Sequence, residues 1–208
     1  MENRVPQPFL IYTLSRSRTA WLSEFLTYGP WWCEREIAVA MRSIQDVVDW
    51  FGRPYVGTCE TGVAQGHWLL RHYVPGIREV VVRRPVEEVI QSMLALKIDG
   101  FRYEEPSLRR TMEYGDRLLA KISARPGVLS MTYADLETET ACQRLFEHCL
   151  QMPFDREWWL RWKDVNIQID IGDILRYYHA NISAISAFKQ SCKTDLRRLA
   201  RAGLIRTK

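Results

Sequence analysis

Two kinds of apolar pattern alternate along this chain. Short strand-like runs rich in apolar residues, at 9–13, 55–59, 79–83 and 128–132, read as strands. Between them, apolar positions recur at three- and four-residue spacing. This predicts helices over 19–28, 43–51, 63–73, 85–97 and 108–124. The helix over 85–97 carries Val86, Val89, Ile90, Met93 and Leu94 on one stripe. Pro85 stands at its first turn, where no backbone N–H is missed. The next helix repeats the pattern with Leu108, Met112, Leu119 and Ile122. Strands that alternate with helices imply crossover connections and a parallel sheet, so a three-layer α/β fold is expected. Ligands of such sheets bind outside the carboxyl ends of the strands.

The last third changes character. A helix is expected over 141–150, followed by the aromatic segment Trp158-Trp159-Leu160-Arg161-Trp162. A long helix is expected from Gly172, with Ile174, Tyr178, Ile182 and Ile185 on one face and Gly203 at its end. No Pro- or Ser-rich linker separates this part, so it reads as helical cover within a single domain, 1–208. Residues 98–106 are polar enough for a mobile loop on the ligand side.

Composition narrows the class without naming a function. At 208 residues, 47% hydrophobic and 26% charged, the chain is long enough to bury a real core. No apolar run approaches a membrane span, and the first residues lack a secretory pattern. The five cysteines form no C-x-x-C pair, and their odd number speaks against a disulfide framework; reduced thiols in a cytoplasm are expected. The four histidines have no metal-ligand spacing, so no metal is expected. The net charge of +4 is mild but uneven. Residues 189–208 hold seven Lys or Arg against one acid, Asp195. That stretch reads as a solvated face, with an anionic ligand or nucleic acid as the sharper alternative.

The chemistry concentrates where the first strand meets the first helix. The strand ends in a small polar and basic turn, Ser15-Arg16-Ser17-Arg18-Thr19-Ala20, and Trp21, Leu22, Phe25 and Leu26 then form a helical face. Free backbone N–H groups at such a junction favour an anion, above all a phosphate. Arg16 and Arg18 add charge, and Ser15, Ser17 and Thr19 add hydroxyl donors. A nucleotide kinase or NTPase would carry G-x-x-x-x-G-K-[ST] here, and this turn has neither Gly nor Lys.

Ser15-Arg-Ser-Arg-Thr-Ala-Trp-Leu22 resembles the P-[KR]-S-G-T-[TS]-W-L signature of sulfotransferases that use 3′-phosphoadenosine 5′-phosphosulfate (PAPS). The resemblance implies a P-loop-like core whose first loop holds the 5′-phosphosulfate. Arg16 falls on the basic residue that supports the leaving phosphate, Ser17 and Thr19 on phosphate-binding hydroxyls, and Trp21 on the helix aromatic. Ser15 stands for Pro, Ala20 for a hydroxyl residue and Arg18 for Gly. A side chain at a glycine position of positive φ costs on the order of 1 kcal/mol. Val80-Val-Val-Arg-Arg-Pro-Val-Glu-Glu-Val-Ile-Gln-Ser92 looks like the family's R-x-P-x-[DE]…S segment, which holds the 3′-phosphate. Arg83 and Ser92 match it, with Arg84 giving the commoner spacing to Ser92. Val128-Leu-Ser-Met-Thr-Tyr-Ala-Asp-Leu136 and Pro153-Phe-Asp155 are similar to the family's Y-E-D-L and L-P-F-D segments. The resemblance covers residues 8–160; the family's G-x-x-G-x-x-K loop is not visible.

Sulfuryl transfer also needs a base for the acceptor hydroxyl, which suits Glu or His. Some bacterial members place a Glu just beyond the first helix, where this chain has Trp31-Trp-Cys-Glu-Arg-Glu36. The helix carries the chain about 15 Å away, and the following eight residues span roughly 20 Å back if extended. Glu36 is the first candidate and Glu34 the second, with Glu60 and His67 after the second strand as the alternative. Trp31, Trp32, Phe101, Tyr103, Trp158 and Trp159 suggest an apolar or sugar-stacking acceptor wall. The expected function is transfer of a sulfuryl group from PAPS to a hydroxyl of a small molecule or glycan. A phosphoryl-transfer enzyme, a nucleic-acid-binding module and a nucleotide binder without catalysis remain as alternatives.

Overall fold

The computed structural model describes residues 6–96 and 103–167. Five strands form the central sheet: β1 (Phe9–Thr13), β2 (Trp32–Arg35), β3 (Val56–Glu60), β4 (Arg78–Arg83) and β5 (Leu129–Thr132). Their order is β2-β3-β1-β4-β5, and every pairing is parallel. The helices are α1 (Thr19–Phe25), α2 (Ile44–Phe51), α3 (His67–Tyr73), α4 (Val86–Leu94), α5 (Glu105–Ser123), α6 (Glu139–Leu150) and α7 (Arg156–Trp162).

Both faces of the sheet are covered, which is why the strands read as continuous apolar runs. Phe9 and Ile11 of β1, with Val80 and Val82 of β4, pack against α1, α6 and α7. Leu10, Tyr12 and Val81 point the other way, into the layer of α2 to α5. Gly57 of β3 is fixed by this packing. A Cβ there would lie 2.2 Å from the Phe9 ring, so only glycine lets that ring lie across the strand. The α/β architecture and its parallel sheet are those the sequence pattern predicts.

Several boundaries differ. The strand β2 went unforeseen, because Glu34 and Arg35 interrupt its apolar pattern. The first helix stops at Phe25 instead of running to 28. The helix expected over 63–73 is a 3-10 turn, Val63–Gly66, followed by α3. α4 ends at Leu94 rather than 97, and α5 begins at Glu105, with Pro106 in its first turn, so it takes in the end of the expected loop. Ser43 lies outside α2 as its cap, in a reciprocal capping box with Asp46.

The aromatic segment after Asp155 is α7, and it latches onto α1. The Trp21 indole N–H donates to the Trp162 carbonyl at 2.8 Å, and the Trp158 indole N–H to the Phe25 carbonyl at 2.9 Å. The expected helix from Gly172, the basic stretch 189–208, Cys192 and Phe101 lie outside the described residues. Among the described residues no helix is long and apolar enough to cross a membrane. Cys33, Cys59, Cys142 and Cys149 are free and buried.

One charge is buried between the layers. Glu79 of β4 is 3% exposed and accepts a hydrogen bond from the Tyr12 hydroxyl at 3.0 Å. Arg71 Nε lies 3.4 Å from its carboxylate and Arg125 Nη1 3.6 Å. Arg71 is half exposed, so most of the value lies with Tyr12 and Arg125. Glu79→Ala leaves a buried hydroxyl and a guanidinium without their partner. A loss of roughly 2–4 kcal/mol is expected, seen as a thermal midpoint lower by about 4–16 °C. Glu79→Gln keeps the Tyr12 bond and should lose less. An alanine variant melting within about 2 °C of the parent would show that the network is not a stabilising one.

Candidate functional site

The site lies at the carboxyl ends of β1, β4 and β5, where the turns after these strands converge. The turn after β1 enters and leaves through strained backbone. Arg16 has φ 64° and Arg18 φ 61°, both left-handed. Five non-glycine residues among those described have positive φ, and three of them, Arg16, Arg18 and Glu36, are sequence-predicted site residues. Such strain costs of order 1–3 kcal/mol per residue and gathers at functional sites. Arg18 therefore adopts the conformation that glycine adopts freely, and it is also the residue that precedes α1.

Side chains hold this conformation. Arg16 Nε donates to Ser92 Oγ of α4 at 3.1 Å, joining the two segments that the sequence pointed to separately. Arg84 donates through Nη1 to the Arg16 carbonyl and lies over the Tyr133 ring, 4.4 Å from its centroid. Arg18 shares that ring at 5.6 Å, lies 5.8 Å from the Trp21 ring centroid, and reaches Glu137 at 3.8 Å. Tyr133 is itself placed by its N–H, which donates to the Arg83 carbonyl at 2.7 Å. Two donors of the turn, Ser17 Oγ and Arg18 Nη1, are buried and have no protein acceptor among the described residues. Ser15, Thr19 and Ala20 are partly exposed around them.

Arg83 has a protein partner. It forms a two-point ion pair with Asp116 of α5, at 3.0 and 2.8 Å, which raises its already high pKa. Its charge is thus matched by a carboxylate, and so is that of Arg84, whose Nε lies 3.2 Å from Glu88 and which is also tied to the turn. Sequence reasoning missed Asp116, Tyr133 and Glu137. The regular helical pattern around Asp116 gave no sign of a partner, and Tyr133 was visible only as part of a packing motif.

The candidate bases stand across the sheet, after β2 and β3. Glu36 closes β2 with φ 56°, its N–H donating to the Cys59 carbonyl at 2.9 Å. Its carboxylate accepts from the Thr61 N–H at 3.4 Å. Burial raises the Glu36 pKa, offset in part by the Thr61 bonds and by Arg35. Glu60 ends β3 at 2% exposure. It accepts from Thr58 Oγ1 at 2.6 Å and from the Ala38 N–H at 3.3 Å. Burial first, and then the charge of Glu36, push its pKa up to about 8. Glu34 is turned along its own strand, accepting from the Trp32 indole at 3.2 Å and the Arg35 N–H at 3.1 Å. His67 faces the Ala64 carbonyl through Nδ1 at 2.7 Å, and burial lowers its pKa.

Among the described residues, the aromatics named for an acceptor wall do not gather on one face. Trp31 is 2% exposed and packs on Phe9 and Tyr55, and Trp159 is 7% exposed in the same layer. Trp158 packs on Tyr28. All three belong to the α1, α6 and α7 side, drawn there by burial of their large apolar surface. Trp32 alone of the tryptophans named is well exposed, at 54%. Tyr103 packs in the opposite layer. Among the described residues no group of three or more His, Cys, Asp or Glu is placed to hold a metal ion. No protein-family model matches the chain, and no curated protein matches it.

Proposed function

We propose that this protein is a sulfotransferase that moves a sulfuryl group from PAPS to an acceptor hydroxyl. The observation that carries the reading is the junction of Arg16, Arg84 and Ser92. It brings a strained basic turn and a second basic strand end into contact, which supports binding of an anion across both. The residues fit such a ligand. An oxyanion seated in the turn supplies the acceptors that Ser17 Oγ and Arg18 Nη1 lack, and an unmet buried donor costs about 1–3 kcal/mol. When bound, PAPS supplies the sulfuryl group and a 5′-phosphate that leaves with negative charge. Arg16 stabilises that charge as it develops. Arg18, held between Tyr133, Trp21 and Glu137, provides positive charge where the glycine of the resembled signature has none. Glu36 takes the acceptor proton from the far side of the β1 turn.

Calorimetry with 3′-phosphoadenosine 5′-phosphate (PAP) tests the reading before any acceptor is known. PAP is expected to bind more tightly than adenosine 5′-monophosphate by roughly 1.5–3 kcal/mol, from charge-assisted hydrogen bonds to its 3′-phosphate. Arg83→Ala and Arg84→Ala are each expected to erase part of that difference, both arginines being already paired to a carboxylate, Asp116 and Glu88. Equal affinity for the two nucleotides would refute the assignment.

A further inference from the structure

We infer that Glu36 and Glu60 hold one proton between them at neutral pH, carried by Glu60, which thereby keeps Glu36 as the single ionised carboxylate of the site. This rests on the proposed role of Glu36 and adds a positioning residue to it. The parallel register makes the juxtaposition. Arg35 of β2 lies opposite Cys59 of β3, so the next residue of each strand, Glu36 and Glu60, emerges side by side. Their carboxylates then cross over each other's backbone. Glu36 takes the N–H of Thr61, beyond Glu60, and Glu60 takes the N–H of Ala38, beyond Glu36.

The two surroundings are unequal. One oxygen of Glu60 has its donors, Thr58 and Ala38. The other, Oε2, is buried and has no protein partner among the described residues. Glu60 also lines a cavity of about 20 Å³, together with Leu10, Ile37, Val47, Trp50, Val63 and Leu70. Strand β1, helices α2 and α3 and the turn after β3 give this cavity no titratable side chain. Among the described residues the charged group acting on Glu60 is Glu36, after β2, and Arg35 in turn acts on Glu36. An ionised Glu60 would be a second uncompensated negative charge in an apolar site, so the proton stays on Oε2. Glu36 keeps the Thr61 donor, Arg35 and access to solvent, and it is the member that ionises. Two carboxyls whose surroundings push their titrations apart divide the acid and base roles in this way. In the reaction the acceptor O–H proton passes to Glu36 as the new S–O bond forms and the S–O bond to the leaving phosphate breaks. The Glu60 proton is neither donated nor replaced.

Carboxyl ¹³C titration of the unliganded protein, labelled at glutamate, tests the pair without any activity. One resonance is expected to titrate at about 8 and to vanish in Glu60→Gln. In Glu36→Gln that midpoint should move down, because the neighbouring charge that raises it is gone. Absence of a high-titrating glutamate, or a midpoint indifferent to Glu36→Gln, overturns the pair. Turnover tests its use. Glu60→Gln mimics the protonated form, so its pH profile should keep the acid limb that Glu36 sets, whereas Glu36→Gln should lose it. A rate lost in Glu60→Gln with the Glu36→Gln rate retained would make Glu60 the base instead, and overturn the inference. If PAP does not bind, the sulfotransferase reading fails while the titration still decides the pair.

Discussion

Replacing Glu36 by Gln is expected to lower turnover by roughly 10²–10⁴-fold while leaving PAP affinity nearly unchanged. The glutamine keeps the size of the side chain and an oxygen for the Thr61 N–H, but it cannot accept a proton. No nucleotide-binding residue is touched, because Glu36 stands after β2 and the basic turn stands after β1. The pH profile carries a second signature. The base works only when ionised, and burial raises its pKa. The parent rate should therefore climb with pH through a midpoint above the usual carboxylate range. Glu36→Gln should flatten that acid limb. Steady-state kinetics over a pH series, with an acceptor found by screening phenols, sugars and lipid-linked alcohols, measures both. An active Glu36→Gln beside a dead His67→Ala would move the base to the turn after β3.

Arg16→Ala should lower turnover by a factor of roughly 100 or more and weaken PAP binding much less. The side chain already has a ground-state partner in Ser92, at 3.1 Å. Its contact with the leaving phosphate gains value only as charge develops there, so the loss falls on the transition state. Arg16→Lys should keep part of the rate, since the charge remains and the planar fork is lost. The alanine variant also removes the Ser92 contact that helps to hold the turn at φ 64°. Ser92→Ala separates the two effects. It frees the turn but leaves the guanidinium, and should cost far less than Arg16→Ala. A variant that loses nucleotide affinity while its saturated turnover stays intact would make Arg16 a binding residue only.

What the residues reveal in order, and what they reveal only when folded, divide along physical lines. Apolar runs such as 9–13 and 79–83 announce strands buried on both faces, and the 3.6-residue stripes announce helices. These signals are local, so the parallel α/β architecture was legible in the sequence. So was the basic turn at Ser15 to Thr19, because strand, turn and helix follow one another without interruption.

The strand β2 was not legible. It is an edge strand of four residues, and its pairing with β3 rather than its own apolar content makes it a strand. The partners of the site were hidden for the same reason. Ser92 meets Arg16 across 76 positions, and Asp116 meets Arg83 across 33. Nothing in a helical stripe marks which of its polar residues will face a strand end. The fold pairs both arginines of the strand end, Arg83 with Asp116 and Arg84 with Glu88, and ties Arg84 to the turn as well. Trp31, Trp158 and Trp159 pack into the layer of α1, α6 and α7, where their large apolar surface is buried, while Trp32 stays exposed. Glu36 and Glu60 stand far apart in the chain, and each alone reads as an ordinary acid. The parallel register of β2 and β3 sets them side by side, and the apolar cavity behind Glu60 makes them unequal. Local pattern determined the elements and the basic turn; tertiary contact decided which charges are matched and which are buried.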